Sequence, residues 1–176
     1  MRALHSIALC VFLLGGCSSG ELLAPGSTAP DRTLRDQTGA SRSLASFRGK
    51  PLVLYFYPKD ATPGCTREAC AFRDSWSRYE SAGVQIVGVS TDSVESHAEF
   101  AEEHQLPFPL LADVDGELTE AFGVRTRLGM ASRVTFVLDK EGVVRAIFRD
   151  VDPGVHAADV LAEIERLGLV TPASSL

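Results

Sequence analysis

The sequence predicts an α/β fold in which a mixed central sheet is flanked by helices. Two apolar runs, "PLVLYFY" from Pro51 and "VQIVGVS" from Val84, are rich in β-branched and aromatic residues. They lack the polar alternation of a half-exposed strand, which is typical of strands buried on both faces of a sheet. A helical pattern follows each run, and the chain closes with a hairpin and a last helix. This order of elements favours a layered α/β architecture.

The composition is that of one globular domain. The chain has 176 residues, of which 45% are hydrophobic and 23% are charged. It is therefore long enough to bury a sizeable core. The formal net charge is −6, and the sequence contains no cluster of five or more Lys and Arg residues. We therefore expect no nucleic-acid partner.

The first 16 residues resemble a bacterial lipoprotein signal peptide. Arg2 precedes an apolar stretch over residues 7–14, which is too short to span a bilayer but suits the apolar part of a signal peptide. The stretch ends in "LGGC", which resembles the lipobox. Cleavage before Cys17 and lipid attachment to its sulfur are therefore expected. The alternative is an ordinary secretory signal that happens to end in Cys.

Lipid on Cys17 would anchor the protein to a membrane in the bacterial envelope, facing the periplasm. Ser18 rather than Asp after the cysteine favours the outer membrane. Residues 17–30 are small, polar and Pro-rich, which predicts a flexible tether. The folded domain is expected to span residues 31–170, with a flexible tail at 171–176.

Local patterns predict the first elements of the domain. "RTLRDQTGASRSL" predicts a hairpin that turns near Thr38 and Gly39. Pro58 stops the first buried strand. One helix of about 18 residues is then predicted from near Gly64 to near Ala82.

The second half of the chain continues the alternation. "DSVESHAEFAEEH" predicts a helix whose start is capped by Asp92 and Glu95. "FPLLAD" predicts a short strand, and "GELTEAFGV" predicts a short helix that ends at Gly123. "RVTFVLDKEGVVRAIF" predicts a hairpin, and "HAADVLAEIERLG" predicts a closing helix with an apolar stripe. Three histidines in helical stretches are expected to be exposed and to form no metal site: His97, His104 and His156.

Two cysteines in "CTREAC" have a spacing that fits neither a C-x-x-C redox pair nor a zinc pair. Once the leader is removed and Cys17 is lipidated, Cys65 and Cys70 are the remaining thiols. Cys65 falls in the first turn of its predicted helix, where unpaired N–H groups and the helix dipole favour a thiolate. Five residues of intact helix place the Cα atoms roughly 8.7 Å apart, whereas a disulfide requires less than about 7 Å. A pair that bonds only when the helix unwinds indicates a redox switch rather than a structural disulfide.

The segment "YFYPKDATPGCTREACAFRD" closely resembles the active site of peroxiredoxins, most of all the bacterioferritin comigratory protein subfamily, also called peroxiredoxin Q. It contains the P-x-x-x-T-x-x-C pattern at Pro58, Thr62 and Cys65, and the subfamily's second cysteine at Cys70. "SRVTFVLD" and "LLADVDGELTEAFGV" are similar to two further segments of the family. The resemblance implies a thioredoxin-like fold over roughly residues 24–168. One departure is the loop 125–132, which is shorter than in many relatives.

The resemblance implies a thiol-dependent peroxidase that reduces hydrogen peroxide and organic hydroperoxides. Cys65 would attack the peroxide as a thiolate and become a sulfenic acid. Cys70 would then form a disulfide with Cys65, and a thioredoxin-like reductant would reopen it. The resemblance implies no cofactor and no metal, and a monomer is expected.

Four neighbouring residues have supporting roles in this interpretation. Thr62 would hydrogen-bond the peroxide, and Pro58 would shape the loop and shield the sulfenate from water. Arg133 would hold the thiolate and polarise the peroxide, and Glu68 would orient Arg133. Each has a simpler alternative. Thr62 could be a helix N-cap and Pro58 a strand terminator, whereas Arg133 could be a solvated strand end and Glu68 an acid favoured by the helix dipole.

Two other functions on the same fold stay open at this point. A membrane-tethered copper chaperone would use C-x-x-x-C and a distant His, but the spacing here is one residue longer. A dithiol–disulfide oxidoreductase would use a C-x-x-C pair, which this sequence lacks. Neither function explains Pro58, Thr62 and Arg133.

Overall fold

A mixed sheet forms the centre of the molecule. The computed structural model describes residues 21–170. Its strands are β1 (Thr33–Asp36), β2 (Ser41–Ser43), β3 (Leu52–Phe56), β4 (Gln85–Ser90), β5 (Leu110–Ala112), β6 (Thr126–Arg127), β7 (Met130–Ala131), β8 (Val134–Leu138) and β9 (Val144–Phe148). Its helices are α1 (Pro63–Asp74), α2 (Trp76–Ser81), α3 (Val94–His104), α4 (Glu117–Ala121) and α5 (His156–Arg166). Seven strands pair in the order β2-β1-β5-β4-β3-β8-β9, and β6 and β7 form a separate hairpin.

The middle of the sheet is parallel and its edges are antiparallel. β4 pairs in parallel with both β3 and β5, whereas β8 pairs antiparallel with β3 and β9. Every residue of β3 is buried, as is every residue of β4 except Gln85, which confirms the prediction of two strands covered on both faces. Successive β3 side chains point to opposite faces, so Val53 and Tyr55 enter one core while Leu54 and Phe56 enter the other.

Helices cover both faces of the sheet. The buried side chains of α1, α2, α3 and α5 join one core cluster. On the other face, α4 packs with a short 3-10 turn at Leu44–Phe47. The predicted mixed sheet flanked by helices is confirmed.

The single helix predicted over residues 64–82 is two helices that meet at Ser75. The Ser75 backbone N–H donates to the Ala71 carbonyl in α1, and the Ser75 carbonyl accepts from the Arg78 N–H in α2. The break redirects α2 so that Tyr79 lies in the core, where its hydroxyl donates to the Ala157 carbonyl oxygen at 2.6 Å. A local pattern cannot reveal this break because the contact lies 78 residues away in sequence.

Residues 21–30, predicted to be part of a flexible tether, instead pair with the folded domain. Leu23 N–H donates to the Phe122 carbonyl at 3.0 Å, and Gly26 N–H donates to the Val144 carbonyl at 2.8 Å. Ala29 is buried. These hydrogen bonds within the protein satisfy backbone N–H groups that a flexible tether would leave to water. The tether prediction is therefore wrong for this stretch.

The start of α3 also differs from its predicted cap. Ser93 occupies the N-cap position and its side chain accepts from Ser96 N–H, in place of the Asp92 and Glu95 pair. Asp92 accepts instead from Asp60 N–H at 2.9 Å and from the Ser90 hydroxyl at 2.7 Å. The Asp92 carboxylate is therefore occupied by Asp60 and Ser90 and does not cap the helix.

The predicted leader, Cys17 and the tail 171–176 lie outside the described residues. Within residues 21–170, the helices are too short or too polar to cross a bilayer.

Candidate active site

The unit formed by β3, the loop 57–62 and α1 places Cys65 at the carboxyl end of a central strand. Pro58 follows the strand, and α1 begins at Pro63, a position where a missing N–H costs nothing. Cys65 therefore lies in the first turn, where unpaired N–H groups favour a thiolate. The thiol is free and only 2% exposed.

The pairing of β8 with β3 brings Arg133 to the same point. Val134 at the start of β8 lies opposite Phe56 at the end of β3, so the residue before β8 lies beside the loop that leads into α1. Arg133 Nη2 donates to the Cys65 sulfur at 3.3 Å. A cation in this position stabilises a thiolate and is also close to any oxygen atom that approaches the sulfur.

Glu68 holds the other half of the guanidinium. One turn after Cys65, its Oε2 accepts a hydrogen bond from Arg133 Nη1, and its side chain is fully buried. Burial raises the pKa of Glu68 to about 7, although the Arg133 charge opposes this. Burial alone would lower the pKa of Arg133, but Glu68 and Cys65 together raise it, so the guanidinium stays charged.

Thr62 and Pro58 lie in the segment between β3 and α1. Thr62 occupies the N-cap position of α1, yet its hydroxyl donates to the Lys59 carbonyl at 3.0 Å. Both residues are half-buried. Of the residues predicted from the sequence, Cys65, Glu68 and Arg133 are in direct contact, whereas Pro58 and Thr62 lie in the segment that leads into α1.

Cys70 lies further along the same intact helix as a half-buried free thiol. It lines an open groove of about 400 Å³ together with Asp74 on α1 and Val155 and Ala157 at the start of α5. Because α1 is continuous over both cysteines, roughly 7.5 Å of helical rise separates them. A bond between them requires the first turns of α1 to unwind.

A buried polar network fixes the loop between β3 and α1. The Asp60 carboxylate accepts from the Tyr57 hydroxyl at 2.7 Å and from Ser96 Oγ and His97 Nδ1, both at 2.8 Å. Burial alone would raise the pKa of Asp60, but these hydrogen bonds and the His97 ring lower it below its ordinary value. The loop that precedes the thiol is thus attached to α3.

A buried position of His156 beside the site was not predicted from the sequence. Its ring lies behind the ion pair, with Nε2 at 2.8 Å from Thr135 Oγ1 and 3.8 Å from Glu68 Oε1. The prediction that His97 and His156 are exposed is wrong, since they are 0% and 2% exposed, and His104 is half-buried. Helical periodicity carried the signal: His97 precedes Phe100 and Ala101 on one stripe, and His156 precedes Val160 by four residues.

The site offers little to a metal. Within residues 21–170, no group of three or more His, Cys, Asp or Glu side chains is arranged to hold an ion. The charge beside Cys65 is a cation, Arg133, which would repel a bound metal ion. The geometry instead suits a thiolate that reacts with a polarisable oxygen compound.

Residues 25–147 match the family model described as the AhpC/TSA family. The chain is 45% identical over 148 residues to a chloroplastic peroxiredoxin Q of Triticum aestivum, covering 82% of this chain and 68% of that protein. It superimposes on the crystal structure of peroxidoxin BcpB from Mycobacterium tuberculosis with a TM-score of 0.76 and 39% identity, over 81% and 96% of the two chains.

A bacterioferritin comigratory protein of Xanthomonas campestris, whose structures address its alkyl peroxide reduction activity, gives a TM-score of 0.73 and 37% identity. The match covers 84% of this chain and 98% of that one. These neighbours confirm the thioredoxin-like fold.

Proposed function

This chain belongs to the AhpC/TSA family as a peroxiredoxin of the Q or bacterioferritin comigratory protein type, a thiol peroxidase, and we propose that Cys65 and Cys70 carry its catalytic cycle. The observation that supports this most is the contact of Arg133 Nη2 with the Cys65 sulfur at 3.3 Å. It supplies the charge that both the thiolate and the reacting peroxide need.

In the first step, the Cys65 thiolate attacks the terminal oxygen of a hydroperoxide. The S–O bond forms as the O–O bond breaks, and the alkoxide or hydroxide leaves and takes up a proton. Cys65 becomes a sulfenic acid and the peroxide becomes an alcohol or water. Thr62 orients the peroxide once its hydroxyl turns away from the Lys59 carbonyl, and Pro58 limits access of water to the sulfenate.

In the second step, α1 unwinds and the Cys70 thiolate attacks the Cys65 sulfur. The S–S bond forms, the S–O bond breaks, and hydroxide leaves as water. Both thiols are free and lie on one continuous helix in the structure, as the reduced state of such a pair requires. A thioredoxin-like dithiol then reduces the disulfide by thiol exchange.

Hydrogen peroxide and organic hydroperoxides are the proposed substrates. The named activity of the Xanthomonas relative toward alkyl peroxides supports the second class. The competing functions, a copper chaperone or a dithiol–disulfide oxidoreductase, are not favoured, because neither uses a guanidinium placed on the reactive sulfur.

Peroxide consumption coupled to a thioredoxin system tests the cycle. Cys65→Ser should abolish turnover, because it removes the nucleophile. Cys70→Ser should form a sulfenate, detectable by mass spectrometry after trapping, and then stop after one turnover. Full activity in Cys65→Ser, or stoichiometric copper binding without peroxide consumption, would contradict the proposal.

We also propose that the protein is a monomer anchored by lipid at Cys17, facing the periplasm of a bacterial envelope and favouring the outer membrane. The motif "LGGC" supports the lipid anchor, and Ser18 supports the outer membrane. Radiolabelled palmitate should label the full-length wild-type protein in bacterial cells but not Cys17→Ala. Equal labelling of the two proteins would exclude the anchor.

A further inference from the structure

His156 is a buried titratable group that the cycle above does not use. It opens α5 and is 2% exposed. Its Nε2 lies 3.8 Å from Oε1 of Glu68, the carboxylate that holds Arg133. A continuous line of polar contacts therefore runs from the reactive sulfur through Arg133 and Glu68 to this ring.

The ring has a fixed place. Thr135 Oγ1 lies 2.8 Å from Nε2, and two phenyl rings pack edge-on against the imidazole. Phe72 does so at 5.5 Å and Phe148 at 5.4 Å between ring centroids. The two phenyl rings and Thr135 therefore hold the imidazole close to Glu68.

Glu68 needs a second partner. Among residues 21–170, Oε1 of Glu68 is buried and has no hydrogen-bond partner, whereas Oε2 is bonded to Arg133. A buried acceptor without a donor is costly. His156 Nε2 could reach Oε1 after a shift of under about 1 Å.

The charges around the ring support a neutral donor. The charged groups near it are Glu68 on α1, 3.8 Å away, and Arg133 before β8, whose charge acts on the ring. Burial, aided by the Arg133 charge, lowers the pKa of His156 to about 4. With its proton on Nε2, a neutral ring can share that one N–H between Thr135 Oγ1 and Glu68 Oε1 without repelling Arg133.

We propose that His156 is a positioning residue for the peroxidase reaction: its Nε2–H, shared between Thr135 Oγ1 and Glu68 Oε1, holds Glu68 and thereby keeps Arg133 on the Cys65 sulfur. This rests on the proposed function, in which Arg133 activates Cys65. The sequence signal for such a residue is a polar side chain on the apolar stripe of α5.

The test compares His156→Leu with His156→Gln, whose amide nitrogen keeps a donor near the position of Nε2. The full-length reduced protein is treated with iodoacetamide across a pH series, and alkylation of the Cys65 peptide is followed by mass spectrometry. The rate of reaction with hydrogen peroxide is measured in parallel. His156→Leu should slow both reactions about tenfold and move the alkylation profile to higher pH. Both rates of His156→Gln should stay within about threefold of those of the wild type.

Ile164→Ala is the control for packing, since Ile164 is buried on the same helix and joins the same core. It should lower stability while leaving both rates unchanged. Equal rates in the Leu and Gln variants, or equal slowing by Ile164→Ala, would overturn the proposal. If His156→Leu fails to fold, Thr135→Val decides: it should slow alkylation about threefold, and an unchanged rate would overturn the proposal.

The two readouts separate this proposal from the proposed function. Alkylation needs no peroxide and no reductant, so it reports on the positioning of Arg133 alone. Suppose that the wild type and its variants show the expected alkylation rates but the wild type consumes no hydroperoxide. This result would contradict the peroxidase function and still support the role of His156.

Discussion

At the scale of the residue, the site depends on how one guanidinium is divided between two partners. Arg133 gives Nη1 to Glu68 and Nη2 to Cys65. The planar fork of an Arg can serve two acceptors in fixed directions, which the single ammonium of a Lys cannot do. The residue next to this guanidinium therefore matters for the room that it leaves.

Gly64 leaves such room. A Cβ at this position would lie 3.3 Å from Arg133 Nη2, and Arg133 is held on its other side by Glu68. We expect Gly64→Ala to slow the reaction of Cys65 with hydrogen peroxide about tenfold by displacing the guanidinium. The free energy of unfolding should not fall, because Ala favours a helix by up to about 1 kcal/mol over Gly.

Stopped-flow rates and urea unfolding measure the two effects of Gly64→Ala separately. Gly154→Ala is the matched control, because its added Cβ would meet only ordinary contacts at 3.4 and 3.7 Å. A peroxide rate in Gly64→Ala equal to that of the control would show that Arg133 tolerates the methyl group.

At the scale of the element, α1 contains both the reactive pair and an ionic lock on its own unwinding. Glu68 lies between Cys65 and Cys70 and is fully buried against Arg133. To join the two sulfurs, the turn that carries Glu68 must unwind and withdraw this carboxylate from the guanidinium. In the proposed cycle, the contact assigned to the activation of Cys65 would thus also oppose formation of the disulfide.

Glu68→Gln should separate these two effects. The amide keeps the shape of the side chain but loses the ion pair, so leaving the pocket is less costly. We expect a sulfenate that forms about tenfold more slowly and then converts to the disulfide several-fold faster than in wild type. Rapid quenching with a thiol-blocking reagent and mass spectrometry would follow both species.

Arg67→Gln serves as the control for this experiment, because it removes an exposed charge from the same turn of α1. Its disulfide should form at the wild-type rate. Slower or unchanged conversion in Glu68→Gln would contradict the idea of a lock.

At the scale of the whole molecule, the site joins parts of the chain that are far apart in sequence. Arg133 lies 65 residues from Glu68, and His156 lies 21 residues beyond Thr135. Burying an acid and a base side by side has opposite effects on their pKa values. Burial raises the pKa of Glu68 from 4.5 to about 7 and lowers that of His156 from 6.5 to about 4.

These shifts give opposite dependences of stability on pH. The contribution of His156 is present above pH 6.5 and is lost as the pH falls through about 4, whereas that of Glu68 is present below pH 4.5 and is lost as the pH rises through about 7. Each is at most about 3 kcal/mol. The wild-type free energy of unfolding should therefore change little between pH 4.5 and 7.

Removing the histidine should expose the effect of the acid. In His156→Gln, the free energy of unfolding should fall as the pH rises from 4.5 to 7, as measured by urea denaturation at each pH. Asp60, whose pKa is lowered by its hydrogen bonds once burial is offset, titrates below this range. A flat profile in the variant would show that Glu68 does not take up a proton on folding.

Features that depend on neighbours along the chain could be predicted from the amino-acid sequence alone. Buried runs, hairpins and the strand–loop–helix unit follow from periodicity and turn residues, and the spacing of Cys65 and Cys70 follows from the pitch of a helix. The pattern around Pro58 and Thr62 identified the family before any packing was known.

Which polar groups face inward depends on the three-dimensional packing. The burial of His97 and His156, the break at Ser75 and the pairing of residues 21–30 each depend on a partner that is remote in sequence. A polar side chain on an apolar stripe is costly unless such a partner meets it. Local patterns reveal the stripe, but only the fold supplies the partner.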